Sequence, residues 1–501
     1  MDAPVSAADE QLATGGHDWW VRPAGVREVL TVAVPLVVSA MSWTVMTFVD
    51  RVFLHRLSGD AMSAAFSAGT VWFAVFCFPL GVCTYASTFV SQYHGAGQND
   101  PKQLRKIGPI TWQAVWVALA FTPLVVMLVP LAPELFAAAD HDASVMRLEV
   151  DYFRVLCWGG PAMLVAQALS GFYSGRGETV VVMIVDATFA LLNVVLDYLW
   201  IFGFAIPGTD WGFPAMGIEG AAWATVVSLW LKTAAYAWLV LLPRHRTAFA
   251  TASGLRFDAS LARRLLRFGG PSGLQMLLDV AGFTVFILLM GRLGAIPYEA
   301  TSIAFNISSL AFMPVWGLGL ATSILVGQHL GENRDDLAAR ATWTTLSIAL
   351  AYMACLSSLY VFLPDLFLYG FFGGAAGSLD SARDQAVYPL AVTLLRFVAA
   401  YNLLDATLMI FAGAIKGAGD TRFVLRVSVV VATLLGAAAW LSVAVWRLDV
   451  YGCWTVITLW IWVVGVVFLL RFLQGKWRSM RVIEGDSPAP AGAEPSAAAS
   501  E

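Results

Sequence analysis

Four aspartates stand out within long apolar runs of the sequence, where an ionised side chain is costly. They are Asp50, Asp197, Asp279 and Asp405. A charged carboxylate in the hydrocarbon of a bilayer costs about 2.5–3.5 kcal/mol on insertion scales, so each acid needs either a partner or a purpose. A carboxylate in such a setting can bind and release a proton or a small cation. These four residues therefore predict sites at which a coupling ion binds and leaves.

The two acids in the second half of the sequence have polar neighbours suited to ion binding. Tyr401 lies one helical turn before Asp405 and on the same face, with Asn402 beside it. Oxygen-bearing side chains of this kind bind hard cations, so Na+ at Asp279 and Asp405 is one expectation. The alternative is that each acid is neutral and hydrogen-bonded within a helix contact.

The first half carries its own polar cluster. Asn193 and Asp197 are four residues apart and share one helix face, and Thr225 of the next apolar run could approach the same pocket. Asp50 lies near the outer end of the first run, where an ordinary interfacial ion pair with Arg51 is the alternative to an ion-binding role. The sequence leaves open which half performs the coupling.

Two basic residues also fall inside apolar runs, more than eight residues from either end of the run. Arg396 precedes Asp405 by about 13 Å along a helix, too far for direct contact, so its side chain is expected to extend toward the membrane interface. Lys232 could pair with an acid or cap a cavity, and its surroundings in the sequence do not choose between them.

Aromatic side chains could bind flat organic cations in a cavity through their ring quadrupoles. The chain has 20 Trp, 31 Phe and 13 Tyr. Most must belong to interfacial belts or to helix packing. The residues predicted to line a substrate cavity are Trp43, Phe286, Phe312, Trp316 and Tyr401.

The elements that must position these residues are membrane-spanning helices. The composition is 59% hydrophobic and only 13% charged, with a mean hydropathy of +0.72, whereas soluble domains carry about 25% charged residues. Backbone groups in lipid must be satisfied internally, which favours helices, and about 20 residues cross the hydrocarbon. Twelve apolar runs are predicted as helices, near 26–50, 62–93, 108–133, 147–174, 179–204, 216–242, 268–291, 299–329, 340–369, 386–415, 423–446 and 451–473.

Basic residues predict the orientation of these helices. If both termini share one side of the membrane, that side holds 21 of the 30 lysines and arginines. The positive-inside bias then places both termini in the cytoplasm. The predicted division of the chain is a cytoplasmic tail (1–24), a six-helix bundle (25–243), a cytoplasmic basic linker (244–266), a second six-helix bundle (267–475) and a disordered tail (476–501).

An internal repeat relates the two bundles. At an offset of 236 residues, VSQYHGAGQND (90–100) aligns with VGQHLGENRDD (326–336), and at an offset of 242, SGRGET (174–179) aligns with KGAGDT (416–421). Both halves therefore carry six helices in the same order and orientation. This predicts an all-α integral membrane protein of twelve helices, in two parallel bundles related by a pseudo-twofold axis along the membrane normal, with a central cavity between them.

Together with NVVLDYLWIFG (193–203) and GIEGAAWAT (217–225), these paired motifs resemble the multidrug and toxic compound extrusion (MATE) family. The resemblance is to its NorM-like branch, within the multidrug/oligosaccharidyl-lipid/polysaccharide flippase superfamily, and spans roughly residues 25 to 475. It implies a secondary active antiporter that exports organic cations or drugs in exchange for H+ or Na+. A monomer in the bacterial inner membrane is the accompanying expectation.

The resemblance also implies roles for the acids. Coupling acids on helices 7 and 10 of the family match Asp279 and Asp405, and proton-responsive acids on helices 1 and 5 match Asp50 and Asp197. The NorM-like branch usually has glutamate at the helix 7 position, so Asp279 is shorter by one methylene group.

Other classes of function fit the sequence less well. A flippase for a lipid-linked or polar metabolite would need a cavity rich in Lys and Arg. Beyond the first and last eight residues of each predicted helix, only Lys232 and Arg396 are lysine or arginine. An ion channel would predict a ring of like residues. No HExxH or GxSxG motif occurs. We therefore expect no enzyme activity, no cofactor and no nucleic-acid partner.

Overall fold

The computed structural model describes residues 19–137, 142–205, 212–372, 382–444 and 449–484. Its structure is helical apart from one antiparallel pair of two-residue strands, β1 (Phe204–Ala205) and β2 (Gly212–Phe213). The helices are α1 Val26–Leu57, α2 Gly59–Thr84, α3 Ala86–Ala96, α4 Pro101–Leu104, α5 Ile107–Ala120, α6 Thr122–Ala137, α7 Ala143–Cys157, α8 Gly160–Ser174, α9 Thr179–Phe202, α10 Ile218–Val240, α11 Pro243–Ala248, α12 Ala259–Gly291, α13 Ala295–Gly331, α14 Asp335–Phe362, α15 Pro364–Phe372, α16 Ala382–Ala418, α17 Thr421–Ala444 and α18 Val450–Leu473.

The described residues of all twelve apolar runs lie almost entirely on these helices, which confirms the all-α membrane fold. Within the described ranges, nine helices are long and apolar enough to cross a membrane. A tenth span results if α7 and α8, which are bent by 42° at a short break, are counted as one. Some predicted runs are thus built from two consecutive helices rather than one straight rod.

The repeat is visible in the backbone. α1 and α12 both contain an internal proline, Pro35 and Pro271. The two Gly-acid-Thr turns both place their glycine in the left-handed region, with φ of 80° at Gly177 and 110° at Gly419. A side chain at either position would be strained, so glycine is required for the turns that lead into α9 and α17.

The two halves cross each other through matched helix contacts. α2 packs on α12, and α13 packs on α1. At the first crossing a Cβ on Gly81 would lie 2.7 Å from the Cα of Gly273. At the second a Cβ on Gly317 would lie 2.6 Å from a side-chain carbon of Val37. Under the 236-residue offset Gly81 corresponds to Gly317, and Val37 corresponds to Gly273. The two crossings are therefore equivalent, and the pseudo-twofold axis passes between them.

We call the end of the molecule where α1 begins and α18 ends the terminal side. The first three turns of α1 are buried there within a hydrophobic cluster that otherwise belongs to the second half. On the same side the Glu28 carboxylate lies 3.2 Å from the His329 ring, and Thr344 donates to the backbone oxygen of Ala24. The first helix therefore fastens one half to the other.

The prediction of a disordered tail at 476–501 is wrong for its first part. Residues Lys476–Ser479 form a short 3-10 helix. Trp477 is 1% exposed, stacks on Phe472 with ring centroids 4.8 Å apart, and donates its indole N–H to the Phe472 carbonyl. Burial of the apolar Trp477 and Val482 side chains orders this segment, although most of its other residues are polar. Residues 485–501 lie outside the described ranges.

The basic linker is also more ordered than a simple connection. It contains α11 and a 3-10 turn, Ser253–Leu255. α12 begins at Ala259, before the predicted boundary at 267, because the Asp258 carboxylate accepts from the backbone N–H groups of Ser260 and Leu261. This N-cap, together with hydrogen bonding from Ser260, holds the pKa of Asp258 below its usual range.

We expect Trp477→Ala to destabilise the protein by about 3–5 kcal/mol, since a fully buried indole is removed together with its hydrogen bond. Thermal unfolding in detergent measures the effect as a lower midpoint. Trp19→Ala is the matched control, because Trp19 is 58% exposed. Equal midpoints for the two variants would show that the terminal segment does not contribute to folding.

Candidate functional site

The predicted polar cluster of the first half forms between α1, α9 and α10. Asn193 and Asp197 are both fully buried on α9, and Thr225 faces them from α10. In the amide orientation that satisfies both groups, Asn193 donates to the Asp197 carboxylate at 3.0 Å and accepts from the backbone N–H of Thr225 at 3.2 Å. The structure thus brings these three residues together as expected.

Asp50 completes this cluster from α1. It is buried, and its carboxylate accepts from the hydroxyl of Tyr152 on α7 at 3.4 Å. Its other oxygen has no hydrogen-bond partner in the described structure. The Arg51 guanidinium lies over the Phe66 ring, 4.8 Å from its centroid, and no ion pair with Asp50 is found among the described residues. Asp50 and Asp197 are near enough to interact electrostatically.

A pocket opens beside this cluster. Lys232 lies 3.3 Å from an oxygen of Asp186, so Lys232 pairs with an acid. Tyr236 donates to the same oxygen at 3.0 Å, and Ser39 donates to the other. The hydroxyl of Ser228 is buried without a partner among the described side chains. The pocket is lined by Ser39, Trp43, Met46, Asp186, Phe189, Ala190, Thr225, Ser228, Leu229 and Lys232.

We expect Lys232→Met to lower the free energy of unfolding by up to about 3 kcal/mol, because it leaves Asp186 without its cation in a low-dielectric setting. Both side chains are about one-fifth exposed, which keeps the effect below that of a fully buried pair. Adding Asp186→Leu should recover most of the loss. A double variant less stable than either single variant, in thermal unfolding, would contradict this reading of the pair.

The second half places Asp279 in a short polar chain. Gln275, one turn earlier on α12, donates to the Asp279 carboxylate at 3.1 Å. The ammonium of Lys416 on α16 donates to the side-chain oxygen of Gln275, also at 3.1 Å. The Asp279 side chain is exposed although it lies in the middle of a membrane helix. A carboxylate at that depth is expected to face a water-filled cavity rather than lipid.

Asp405 has different surroundings. Tyr401 interacts electrostatically with Asp405 and shares a hydrogen bond with Ser308 of α13 at 3.1 Å. Asn402 is buried and donates to Ser357 of α14 at 3.1 Å. The described side chains show no contact between Asp279 and Asp405. No group of three His, Cys, Asp or Glu suited to a metal ion occurs in the described ranges.

The aromatic predictions separate into two groups. Trp43 lines the pocket of the first half, and Phe312 and Trp316 form a partly exposed pair on α13 with centroids 5.9 Å apart. Phe286 is instead 3% exposed and packs edge-on against Phe305 and Trp454. Phe286 therefore belongs to the core of the second half and is not available to line a cavity.

The paired SQYHGAG and GQHLGEN segments meet across the pseudo-twofold axis on the terminal side. Gln92 donates its side-chain N–H to the backbone oxygen of Gly417 at 2.8 Å, and its repeat mate Gln328 donates to that of Gly175 at 2.9 Å. The terminal segment adds a third bond, in which the Val482 backbone N–H donates to the Gln92 side chain at 2.8 Å. These bonds close the terminal side.

The turn that presents Gly175 is anchored by a buried arginine. The Arg176 guanidinium lies over the rings of Phe172 and Phe249, at 4.0 and 4.4 Å from their centroids, and pairs with Glu178 at 3.0 Å. Burial lowers the pKa of Arg176 to about 10. The turn is therefore a rigid acceptor for Gln328.

Residues of these sites that sequence reasoning missed include Tyr152, Asp186, Ser228, Gln275 and Lys416. Asp186 had a signal, since it is a further acid in the interior of an apolar run and lies on the helix next to the one that carries Lys232. Gln275 precedes Asp279 by one turn. Tyr152, Ser228 and Lys416 had no signal, because only helix packing directs them toward the acids.

Comparisons with known proteins agree with this architecture. The MatE family model matches residues 35–199 and 271–439. The chain is 30% identical over 404 residues to a protein of Xanthomonas campestris named probable multidrug resistance protein NorM, covering 80% of this chain and 83% of that protein. It is 26% identical over 432 residues to multidrug resistance protein NorM of Aliivibrio fischeri, covering 85% and 89%.

Solved structures show the same fold. A transporter of the MOP superfamily from Pyrococcus furiosus superposes with a TM-score of 0.78 at 18% sequence identity, covering 90% of this chain and 96% of that chain. A eukaryotic MATE transporter superposes with a TM-score of 0.76 at 19% identity, covering 90% and 96%. The two segments that match the family model lie one in each repeat, and they contain Asp50, Asp197, Asp279 and Asp405. This chain is a multi-pass membrane transporter, not an enzyme, and belongs to the MatE family.

Proposed function

We propose that this transporter exports organic cations, including drugs, across the bacterial inner membrane in exchange for H+ or Na+. The observation that carries the proposal is the pair Asp50 and Asp197, buried between helices with one carboxylate oxygen of Asp50 unpartnered among the described residues. A site with spare acceptor capacity and no ion-paired lysine or arginine among the described residues is suited to binding a cation. The names of the NorM relatives support drugs as cargo.

In the proposed cycle the acids act as a switch. When they are ionised, they attract a cationic substrate to the cavity. When H+ or Na+ neutralises them, that attraction is lost and the substrate leaves outward. Asp50, Asn193, Asp197 and Thr225 carry this role in the first half, and Asp279, Asp405, Tyr401 and Asn402 are the candidates in the second. Na+ would be held by carboxylate and hydroxyl oxygens.

Energetics constrain the stoichiometry. One pH unit supplies about 1.4 kcal/mol, and a potential of 100 mV supplies about 2.3 kcal/mol per net charge moved. Exchange of one monovalent cation for one H+ moves no net charge, so it gains nothing from the potential. With a pH difference of one unit, export against a gradient steeper than tenfold therefore needs more than one coupling ion per cation, or a substrate of low charge.

The terminal side is proposed to face the cytoplasm, since it carries most of the lysines and arginines. The closure by Gln92 and Gln328 then seals the cytoplasmic end of the path in this conformation. A flippase for anionic lipid-linked cargo fits less well, because Lys232 is neutralised by Asp186. Its charge is not free to bind a phosphate.

The test is efflux of a fluorescent cation such as ethidium from proteoliposomes that contain the purified protein. Export should require an inward gradient of H+ or of Na+, imposed separately. It should cease when ionophores collapse both gradients. Export that continues undiminished without either gradient would overturn the antiport proposal. If only one of the two gradients supports export, the ion of that gradient is the coupling ion.

A further inference from the structure

We propose that Gln275 and Lys416 are positioning residues that link ion occupancy at Asp279 to the closure of the terminal side. The inference rests on the proposed function, since it assumes that an ion binds Asp279. It goes further by stating how the second half would report that binding to the first half. The structural basis is one continuous set of contacts from the carboxylate to the junction between the halves.

The first part of this set runs through side chains. Gln275 donates to Asp279 and accepts from Lys416, with both distances at 3.1 Å. The amide of Gln275 is therefore held at both ends, and its orientation is fixed by an acceptor on one side and a cation on the other. Asp279 is the acid that attracts the Lys416 ammonium. This attraction holds Lys416 near Gln275 only while Asp279 is ionised.

The second part runs through the backbone of the same residue. The Lys416 carbonyl accepts from the hydroxyl of Tyr85 at 2.8 Å, and the next carbonyl, that of Gly417, accepts from Gln92 at 2.8 Å. Tyr85 and Gln92 both belong to the first half. Displacement of the last turn of α16 would therefore disturb two hydrogen bonds that join the halves.

The end of α16 that carries Lys416 and Gly417 packs tightly against α13. A Cβ on Gly417 would lie 2.5 Å from the backbone oxygen of Ser323. The hydroxyl of Ser323 in turn faces that of Thr88, 3.3 Å away in the first half. A shift of α16 at this point is thus passed to α13 and across the axis, since close-packed elements move together rather than deform.

The connection is present in only one half. Under the repeat offsets, Lys416 corresponds to Ser174 and Asp279 to Trp43. Gln328 still bonds to Gly175 in the first half, but neither the lysine nor the acid is shared by the two repeats. Ion occupancy at Asp279 therefore loosens one of two pseudo-symmetric junctions: the bound ion neutralises the carboxylate, Gln275 loses its charged acceptor, and Lys416 loses the acid that attracts it.

The test measures the terminal side directly. Gln98 and Arg334 are exposed repeat mates on opposite halves, so spin labels on Gln98→Cys and Arg334→Cys report the separation of the halves by double electron–electron resonance. In a background free of native cysteines, the wild-type distance distribution should change when the coupling ion is added. Lys416→Met and Gln275→Leu should abolish that change, whereas Lys416→Arg should keep it, because it preserves the charge.

A second readout excludes a merely structural role. Without the Lys416 cation, Asp279 should bind the coupling ion more tightly, so the ion concentration for half-maximal efflux should fall about tenfold in Lys416→Met. The KM for the drug should stay within twofold. Lys476→Met is the matched control, since Lys476 is a lysine of the same side that lies outside this set of contacts, and it should change neither quantity.

The outcomes separate this inference from the proposed function. If the protein with Lys416 intact shows no ion-dependent efflux, the proposed function fails. If it does, and folded Lys416→Met and Gln275→Leu respond to the ion as the wild type does, the inference fails. If neither of these variants purifies as folded protein, the absence of the distance change in Lys416→Arg would also overturn the inference.

Discussion

Asp197→Asn is expected to reduce gradient-driven export at least tenfold while leaving the protein folded. Asp197 is fully buried and bonded to Asn193, and it interacts with the nearby Asp50 carboxylate. An amide at this position is close to the shape of the acid but is permanently neutral. It fixes the site in the state that an ion would otherwise create and remove in each cycle, so the cycle stops. Efflux from proteoliposomes under separate H+ and Na+ gradients measures the loss.

Asp60→Asn is the matched control, because Asp60 is an exposed acid of the same half, in the first turn of α2. It should transport like the wild type. Asp279→Asn and Asp405→Asn complete the comparison. Full coupled export in Asp197→Asn, together with loss in Asp279→Asn, would assign the coupling to the second half. Full export in all three variants would mean that none of these three acids is needed for coupling.

The helices and the repeat were predictable because they depend on properties that a sequence displays locally. The length of a membrane helix can be estimated from the length of its apolar run. The alignment of SGRGET with KGAGDT predicts two equivalent turns, and in the structure both have a glycine with positive φ. Asn193 and Asp197 could be placed together because four residues along a helix return to the same face. Each of these inferences needs only one helix, or two copies of one.

Contacts between helices were not predictable in the same way. The sequence leaves open whether Lys232 pairs with an acid or caps a cavity, and its partner Asp186 follows from how α9 and α10 pack. Lys416 directly follows the predicted helix 386–415, whereas in the structure its side chain contacts Gln275 on another helix. The folded terminal segment depends on Trp477 and Val482 finding Phe472 and Gln92. These contacts depend on the angles at which the helices pack, and an apolar run in the sequence does not indicate those angles.

Gly95→Ala is expected to reduce export at least tenfold by preventing closure of the terminal side. A Cβ on Gly95 would lie 1.9 Å from the backbone oxygen of Gln328, and one on its repeat mate Gly331 would lie 2.2 Å from that of Gln92. Both neighbours are backbone atoms, so the clash is relieved only when the halves separate. Closure itself should therefore become unfavourable in Gly95→Ala and in Gly331→Ala.

The fold of each half should survive these substitutions, since alanine favours a helix by about 1 kcal/mol over glycine. Gly270→Ala is the matched control: Gly270 is a helical glycine at which an added Cβ would meet no neighbouring atom within 4 Å, and its substitution should leave export unchanged. Spin labels at Gln98→Cys and Arg334→Cys should show a longer distance in Gly95→Ala than in Gly270→Ala. Export at the wild-type rate in Gly95→Ala would mean that the halves never need to close as tightly as they do here, and that transport does not pass through this conformation.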